Sequence, residues 1–185
     1  MEGRFVGVDI TKTSIEVVVR PTGELWTSTS NENGLTETAD RLRYIRPELV
    51  VMEANGTFEL PAAGAFATEG LPFALVHPRT LRDFARSTGR LARSDTGRAG
   101  ILAYFAELVR PAARSLPADV IQQLKDLRNR RLEITQMLTL ERDRMDASAK
   151  VVLKDLRAHI SYMEKGLILL DEQFNRTIRS SYIWR

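Results

Sequence analysis

The sequence contains no cysteine and only two histidines among its 185 residues. Without cysteine it can form neither a disulfide framework nor a thiolate metal site, so any metal has to be held by oxygen atoms or by histidine. No apolar run approaches the roughly 20 residues that cross a bilayer, and Glu2 and Asp9 interrupt the N-terminal segment where a signal peptide would be apolar. We therefore expect a cytoplasmic chain with no membrane partner.

The length and the apolar content of 43% allow one substantial core but leave little room for two. We expect one compact domain over residues 1–112, followed by a helical appendage over residues 113–180. The net charge of +3 is too small to indicate a partner by itself.

Hydrophobic periodicity predicts a mixed α/β domain in the first part. Three β-rich runs separated by turn residues predict two consecutive hairpins, and short buried strands then alternate with helical patterns. This is the element order of an RNase H-like fold, with a mixed five-stranded sheet and flanking helices. The predicted strands are 4–10, 15–20, 25–30, 49–52 and 72–76, with helices from residue 33 to Pro47 and over residues 58–70.

The second part has apolar residues at alternating spacings of four and three over residues 118–145 and 152–174. Such spacing predicts a long antiparallel helical hairpin, or a coiled coil shared between chains, and so a homo-oligomer. Arg131 and Glu141 fall on the apolar seam, where packing against another protein or a nucleic acid would account for them.

Two acids end strands that would be neighbours in such a sheet. Asp9 follows Val6-Gly7-Val8, and Glu53 follows Val50-Val51-Met52. Their carboxylates would repel each other unless a hard divalent cation such as Mg²⁺ lay between them, where it could activate a nucleophile on a phosphodiester. Solvated carboxylates that merely close two strands are the alternative interpretation.

Arginine is concentrated in one short stretch, offset only by Asp83 and Asp95. On a continuous helix the first five arginines would share a face suited to phosphate, although Gly89 could interrupt it and a solvated basic face is the alternative. His77 is expected to form a local hydrogen bond and His159 to lie on a helix surface. The arginines are Arg79, Arg82, Arg86, Arg90, Arg93 and Arg98.

Several ordered motifs resemble those of the DEDD transposases, the Piv-like recombinases of the insertion-sequence one-ten group. The resemblance covers residues 4–175. The motifs are Phe5-Val6-Gly7-Val8-Asp9-Ile10 with Lys12, Val51-Met52-Glu53-Ala54-Asn55-Gly56, His77-Pro78 and Gly89-Arg90-Leu91-Ala92-Arg93-Ser94-Asp95.

The resemblance implies a RuvC-like domain in which an Asp, Glu, Asp, Asp quartet binds Mg²⁺. It further implies a coiled-coil segment, a C-terminal domain with a catalytic serine, and a noncoding RNA that bridges target and donor DNA. Asp9, Glu53 and Asp95 match the first three acids, as catalytic residues and metal ligands. Lys12 and the six arginines would contact nucleic acid, and we expect the serine domain to be absent from this chain.

The fourth acid should stand three residues after Asp95, where this chain has Arg98. A fixed cation repels a metal that a carboxylate would attract. We therefore expect Mg²⁺ binding to be weak or limited to one ion, and strand cleavage to be impaired.

Three functions follow as alternatives. The chain could be the N-terminal part of a recombinase that binds DNA and RNA. It could be a non-catalytic module for dimerisation and nucleic-acid binding, which Arg98 favours over a fully active enzyme. A stand-alone RuvC-type nuclease is the third, and the long heptad-like segment argues against it.

Overall fold

The computed structural model describes residues 3–56, 58–89, 97–113 and 116–181. The chain divides after Pro117 into two compact units. The first unit contains a five-stranded sheet and four helices, and the second contains two long helices.

The sheet of the first unit has the strand order β3-β2-β1-β4-β5. β1 pairs antiparallel with β2, and β2 with β3, whereas β4 runs parallel to both β1 and β5. This confirms the predicted mixed sheet of RNase H-like type. The strands are β1 Phe5–Ile10, β2 Ser14–Arg20, β3 Leu25–Thr29, β4 Leu49–Glu53 and β5 Phe73–Val76.

Local chemistry accounts for the ends of two helices, α1 (Glu32–Ile45) and α3 (Pro78–Ser87). The side chain of Asn31 accepts a hydrogen bond from the Gly34 amide at 2.9 Å and so caps α1. His77 caps α3 in the same way, because its Nδ1 accepts from the Arg79 amide at 3.2 Å. The local role predicted for His77 is thus confirmed. Between them, α2 spans Glu59–Thr68.

The fourth helix, α4 (Gly97–Val109), was not predicted from the sequence, and it packs against β1, β2 and β4. Its Leu102 and Phe105 are buried against Val51, and each such side chain contributes about 1.5–3 kcal/mol. Gly7 makes the close approach possible. A Cβ there would meet the backbone of Ala99 and Ala103 well inside the 3.0 Å that real Cβ atoms keep.

The second unit is a helical hairpin of α5 (Ala118–Ala147) and α6 (Leu153–Ser180). Leu138, Ile160 and Met163 form its buried cluster, which confirms the long C-terminal helices predicted from the spacing. Among the described residues, no helix is long and apolar enough to span a membrane.

The two polar residues on the apolar seam have partners within the hairpin itself. Arg131 Nε lies 2.6 Å from Asp171, and Glu141 Oε1 lies 2.7 Å from Nδ1 of His159. The suggestion that another molecule accounts for them is therefore unnecessary. His159 is half exposed, as expected of a surface helix, and it also supplies the partner of a nearly buried carboxylate.

Candidate functional site

The pairing of β1 with β4 places two acids side by side at one edge of the sheet, where the carboxyl ends of these two strands lie. The two strands are parallel, with Val8 opposite Met52, so Asp9 and Glu53 are the next residues on each. Neighbouring strands lie about 4.8 Å apart, which is close enough for two carboxylates to interact strongly.

Both acids face α4. Side chains alternate between the faces of a strand, so Asp9 shares the face of Gly7, whose Cα is covered by the α4 backbone. Glu53 shares the face of Val51, which packs in the cluster that includes Leu102 of α4. α4 therefore limits the access of solvent to this part of the sheet.

A third acid, Glu16 on β2, lies in the same row. It is the antiparallel partner of Asp9, and its Oε2 lies 3.1 Å from where a Cβ of Gly97 would stand. Glu16 was not among the residues predicted for the site. The sequence does indicate this position, because a hairpin centred on Lys12 and Thr13 places residue 16 opposite residue 9.

Arg98, in the first turn of α4, pairs with Glu53. Its Nη1 donates to Oε2 of Glu53 at 2.7 Å, and the Glu53 side chain is only 5% exposed while that of Arg98 is 53% exposed. A cation in the first turn opposes the helix dipole, so helix propensity does not explain an arginine there. The buried carboxylate does, because an unpaired charge in that position would be strongly unfavourable.

The same arginine acts on Asp9. Burial raises the pKa of Asp9 above its ordinary value, while the positive charge of Arg98 and a hydrogen bond from the Ile10 backbone lower it by less. The ionised form of Asp9 is therefore less favourable in the folded chain than in water.

The loop after Glu53 is held by another acid that the sequence analysis missed. Glu59, at the start of α2, is 1% exposed, and its Oε1 accepts from the amide of Gly56 at 2.5 Å. Gly56 has a φ of 85°, a conformation that favours glycine. Glu59 thus fixes the turn by which the chain leaves β4.

The predicted basic residues fall into three groups. Lys12 is in the turn that follows β1, at the edge that carries Asp9. Arg79, Arg82 and Arg86 are exposed on α3 and, with Asp83, line an open groove of about 360 Å³. Arg98 is turned toward Glu53.

The interruption at Gly89 that the sequence left open is found in the structure. α3 ends at Ser87, followed by Gly89 with a φ of 68°, so only its own three arginines share a helical face. Arg90, Arg93 and Asp95 lie outside the described residues.

The row of acids formed by Glu16, Asp9 and Glu53 does not by itself supply a site for two metal ions. Within the described ranges, no three His, Asp or Glu side chains converge in a way that could hold a metal ion. Two carboxylates can share an ion only if both are free to turn toward it, and here a guanidinium is bonded to Glu53.

A mixed five-stranded sheet whose adjacent parallel strands β1 and β4 each carry an acid near the carboxyl end defines an RNase H-like α/β protein. Within that class, the family model of the DEDD transposases of the IS110 group, described as Transposase, matches residues 6–153. The match covers most of the chain, and the protein belongs to this family. Comparison with curated proteins gave no significant match.

Proposed function

We propose that this chain is the nucleic-acid-binding N-terminal part of a DNA transposase or site-specific recombinase, with an impaired acidic site. The observation that carries the proposal is the parallel pairing of β1 with β4, which places Asp9 and Glu53 next to each other near the carboxyl ends of two neighbouring strands. Membership of a transposase family supports the same reaction class, transposition by cutting and rejoining DNA.

The impairment follows from the Arg98–Glu53 pair. In a complete site of this type, acids hold Mg²⁺, which polarises a phosphodiester and activates the attacking hydroxyl. In this chain Arg98 is bonded to Glu53, and a metal ion would have to displace the guanidinium before it could use that carboxylate. We infer that Asp9, with Asp95, holds one weakly bound ion at most.

The nucleic acid would lie along α3. Arg79, Arg82 and Arg86 recur on one face of this helix, and α3 starts two residues after β5, whose end lies at the acidic edge. Arg79 is 4.0 Å from Asp83, a long and exposed ion pair that leaves the guanidinium available to a phosphate. DNA and a structured noncoding RNA are the proposed partners.

Salt-dependent binding tests this assignment. Each phosphate contact contributes about 0.9 to the slope of log K against log salt on duplex DNA. Replacing Arg79, Arg82 and Arg86 together by Gln should therefore reduce the slope by about 2–3, as measured by fluorescence anisotropy with a labelled duplex and with a folded RNA hairpin.

The matched control replaces Arg41, Arg43 and Arg46 by Gln. These arginines lie on α1 and at its C-cap and give the same change of charge, but they should leave the slope unchanged. Equal losses in both triple variants, or no binding by the unmodified chain, would refute the assignment.

A second function, as a dimerisation module without chemistry, is favoured by a specific observation in the hairpin. Large apolar side chains are exposed on both of its helices, and a second copy of the chain would cover them. Light scattering that gives a dimer mass, with no binding of DNA or RNA, would favour this function over the first. The exposed residues include Leu132, Met137 and Leu140 on α5 and Tyr162, Ile168 and Leu169 on α6.

A further inference from the structure

Three acids stand in a row across the sheet at the start of α4. Glu16, Asp9 and Glu53 occupy adjacent strands β2, β1 and β4 at matching positions. At spacings of about 4.8 Å between strands, ionised carboxylates in such a row repel one another, and a nearby positive charge relieves this repulsion.

Arg98 is a cation close to this row. The guanidinium of Arg98 is bonded to the most buried acid, Glu53, and its charge also acts on Asp9 in the middle of the row. One end of this side chain is thus fixed at the carboxylates while about half of it remains exposed to solvent.

We propose that Arg98 is the resident cation of this edge, and that its guanidinium takes the position that a divalent ion would need. The chain then keeps its acids together without a metal, and a metal and Arg98 exclude each other. This deepens the proposed function, because it replaces a merely weakened metal site by one with a different, internal cation.

Glu53 can be neutralised in two ways, by a metal ion or by Arg98. A metal ion has to be dehydrated and collected from solution, whereas Arg98 is held beside Glu53 by the docking of α4 on Gly7. An arginine is also charged at every accessible pH, so this neutralisation never lapses. For a divalent ion to bind, Arg98 would have to leave, and the approaching ion would still be repelled by it.

Replacing Arg98 by Asp tests the proposal on the purified full chain without nucleic acid. Thermal unfolding would be followed by circular dichroism with and without MgCl₂, at constant ionic strength set with NaCl. With about 10 mM Mg²⁺ and a dissociation constant of about 1 mM, the melting temperature of Arg98→Asp should rise by about 3–6 °C. That of the unmodified chain should not change.

Arg43→Asp is the matched control. Arg43 is an exposed arginine paired with Glu69 at 3.2 Å, and it lies in the last turn of α1. Its replacement changes the net charge by the same amount, so any general effect of Mg²⁺ on a more acidic protein would appear there too. We expect no Mg²⁺-dependent shift in this variant.

Arg98→Gln keeps the test decisive if Arg98→Asp folds poorly. It removes the cation without adding an acid, and should show a smaller shift in the same direction. Folding of either variant only in the presence of Mg²⁺ would support the proposal. Unfolding of both variants with and without Mg²⁺, or an equal shift in the unmodified chain, would overturn it.

These results are independent of the proposed function, which is tested by nucleic-acid binding through α3. If the chain binds DNA but Mg²⁺ does not change the melting temperature of the Arg98 variants, only the inference about Arg98 is refuted. If the chain binds no nucleic acid but Mg²⁺ raises the melting temperature of Arg98→Asp, only the proposed function is refuted.

Discussion

Removing Arg98 should destabilise the first unit by an amount that the geometry of its ion pair sets. Glu53 is 5% exposed, and breaking a fully buried pair costs about 3–5 kcal/mol because one charge is left without a partner. Arg98 is 53% exposed, however, and exposed pairs contribute about 1 kcal/mol or less. For Arg98→Ala we therefore expect an intermediate loss of about 2 kcal/mol in the free energy of unfolding.

Urea unfolding followed by circular dichroism measures this loss. A double-mutant cycle with Glu53→Gln isolates the interaction, since a neutral amide no longer needs the guanidinium. In the Glu53→Gln background, the cost of Arg98→Ala should fall to about 0.5 kcal/mol or less. The exposed Arg43→Ala serves as a control and should cost about 0.5 kcal/mol in either background.

An Arg98→Ala variant as stable as the unmodified chain would refute the argument that Glu53 needs this partner. A loss of about 2 kcal/mol that persists with Gln at position 53 would show that Arg98 acts on something other than this carboxylate.

Two further predictions concern the same face of the sheet. Gly7→Ala should lower the free energy of unfolding by about 3 kcal/mol or prevent folding, because the added methyl group collides with the backbone of α4. Gly166→Ala is the control, since a Cβ at that position would lie 4.0 Å from the nearest atom of α5, and thermal unfolding should show it to be neutral or slightly stabilising. Because burial raises the pKa of Asp9, its contribution to stability is fully present below the ordinary value of 3.8 and is lost as the pH rises through the folded value. Asp9→Asn should therefore raise the melting temperature near neutral pH and lose this advantage in acid, and a variant that is less stable near neutral pH would contradict the assignment.

The strands could be predicted because each is a short run rich in apolar, aromatic or β-branched residues between turn residues. Asp9 and Glu53 followed from them, since both close such a run. α4 could not be predicted in the same way. It is buried on several sides, with Ala99, Leu102, Ala103 and Phe105 all inaccessible, so it lacks the polar face that marks an amphipathic helix.

The contact between Arg98 and Glu53 was beyond sequence reasoning for a related reason. The two residues are 45 positions apart, and their meeting depends on how α4 docks on β1. Gly7 carried a partial signal, because a glycine inside a strand often marks the close approach of another backbone. The motif pattern identified position 98 as unusual but could not show which carboxylate it would bind.

The two polar pairs of the hairpin have a consequence for how α5 and α6 are aligned. Arg131–Asp171 and Glu141–His159 lie at separate levels along the helices, so sliding one helix past the other by a single turn would break both pairs at once. Purely apolar seams tolerate such slippage more easily. The two pairs therefore select one longitudinal alignment of α5 and α6 over those displaced by a turn.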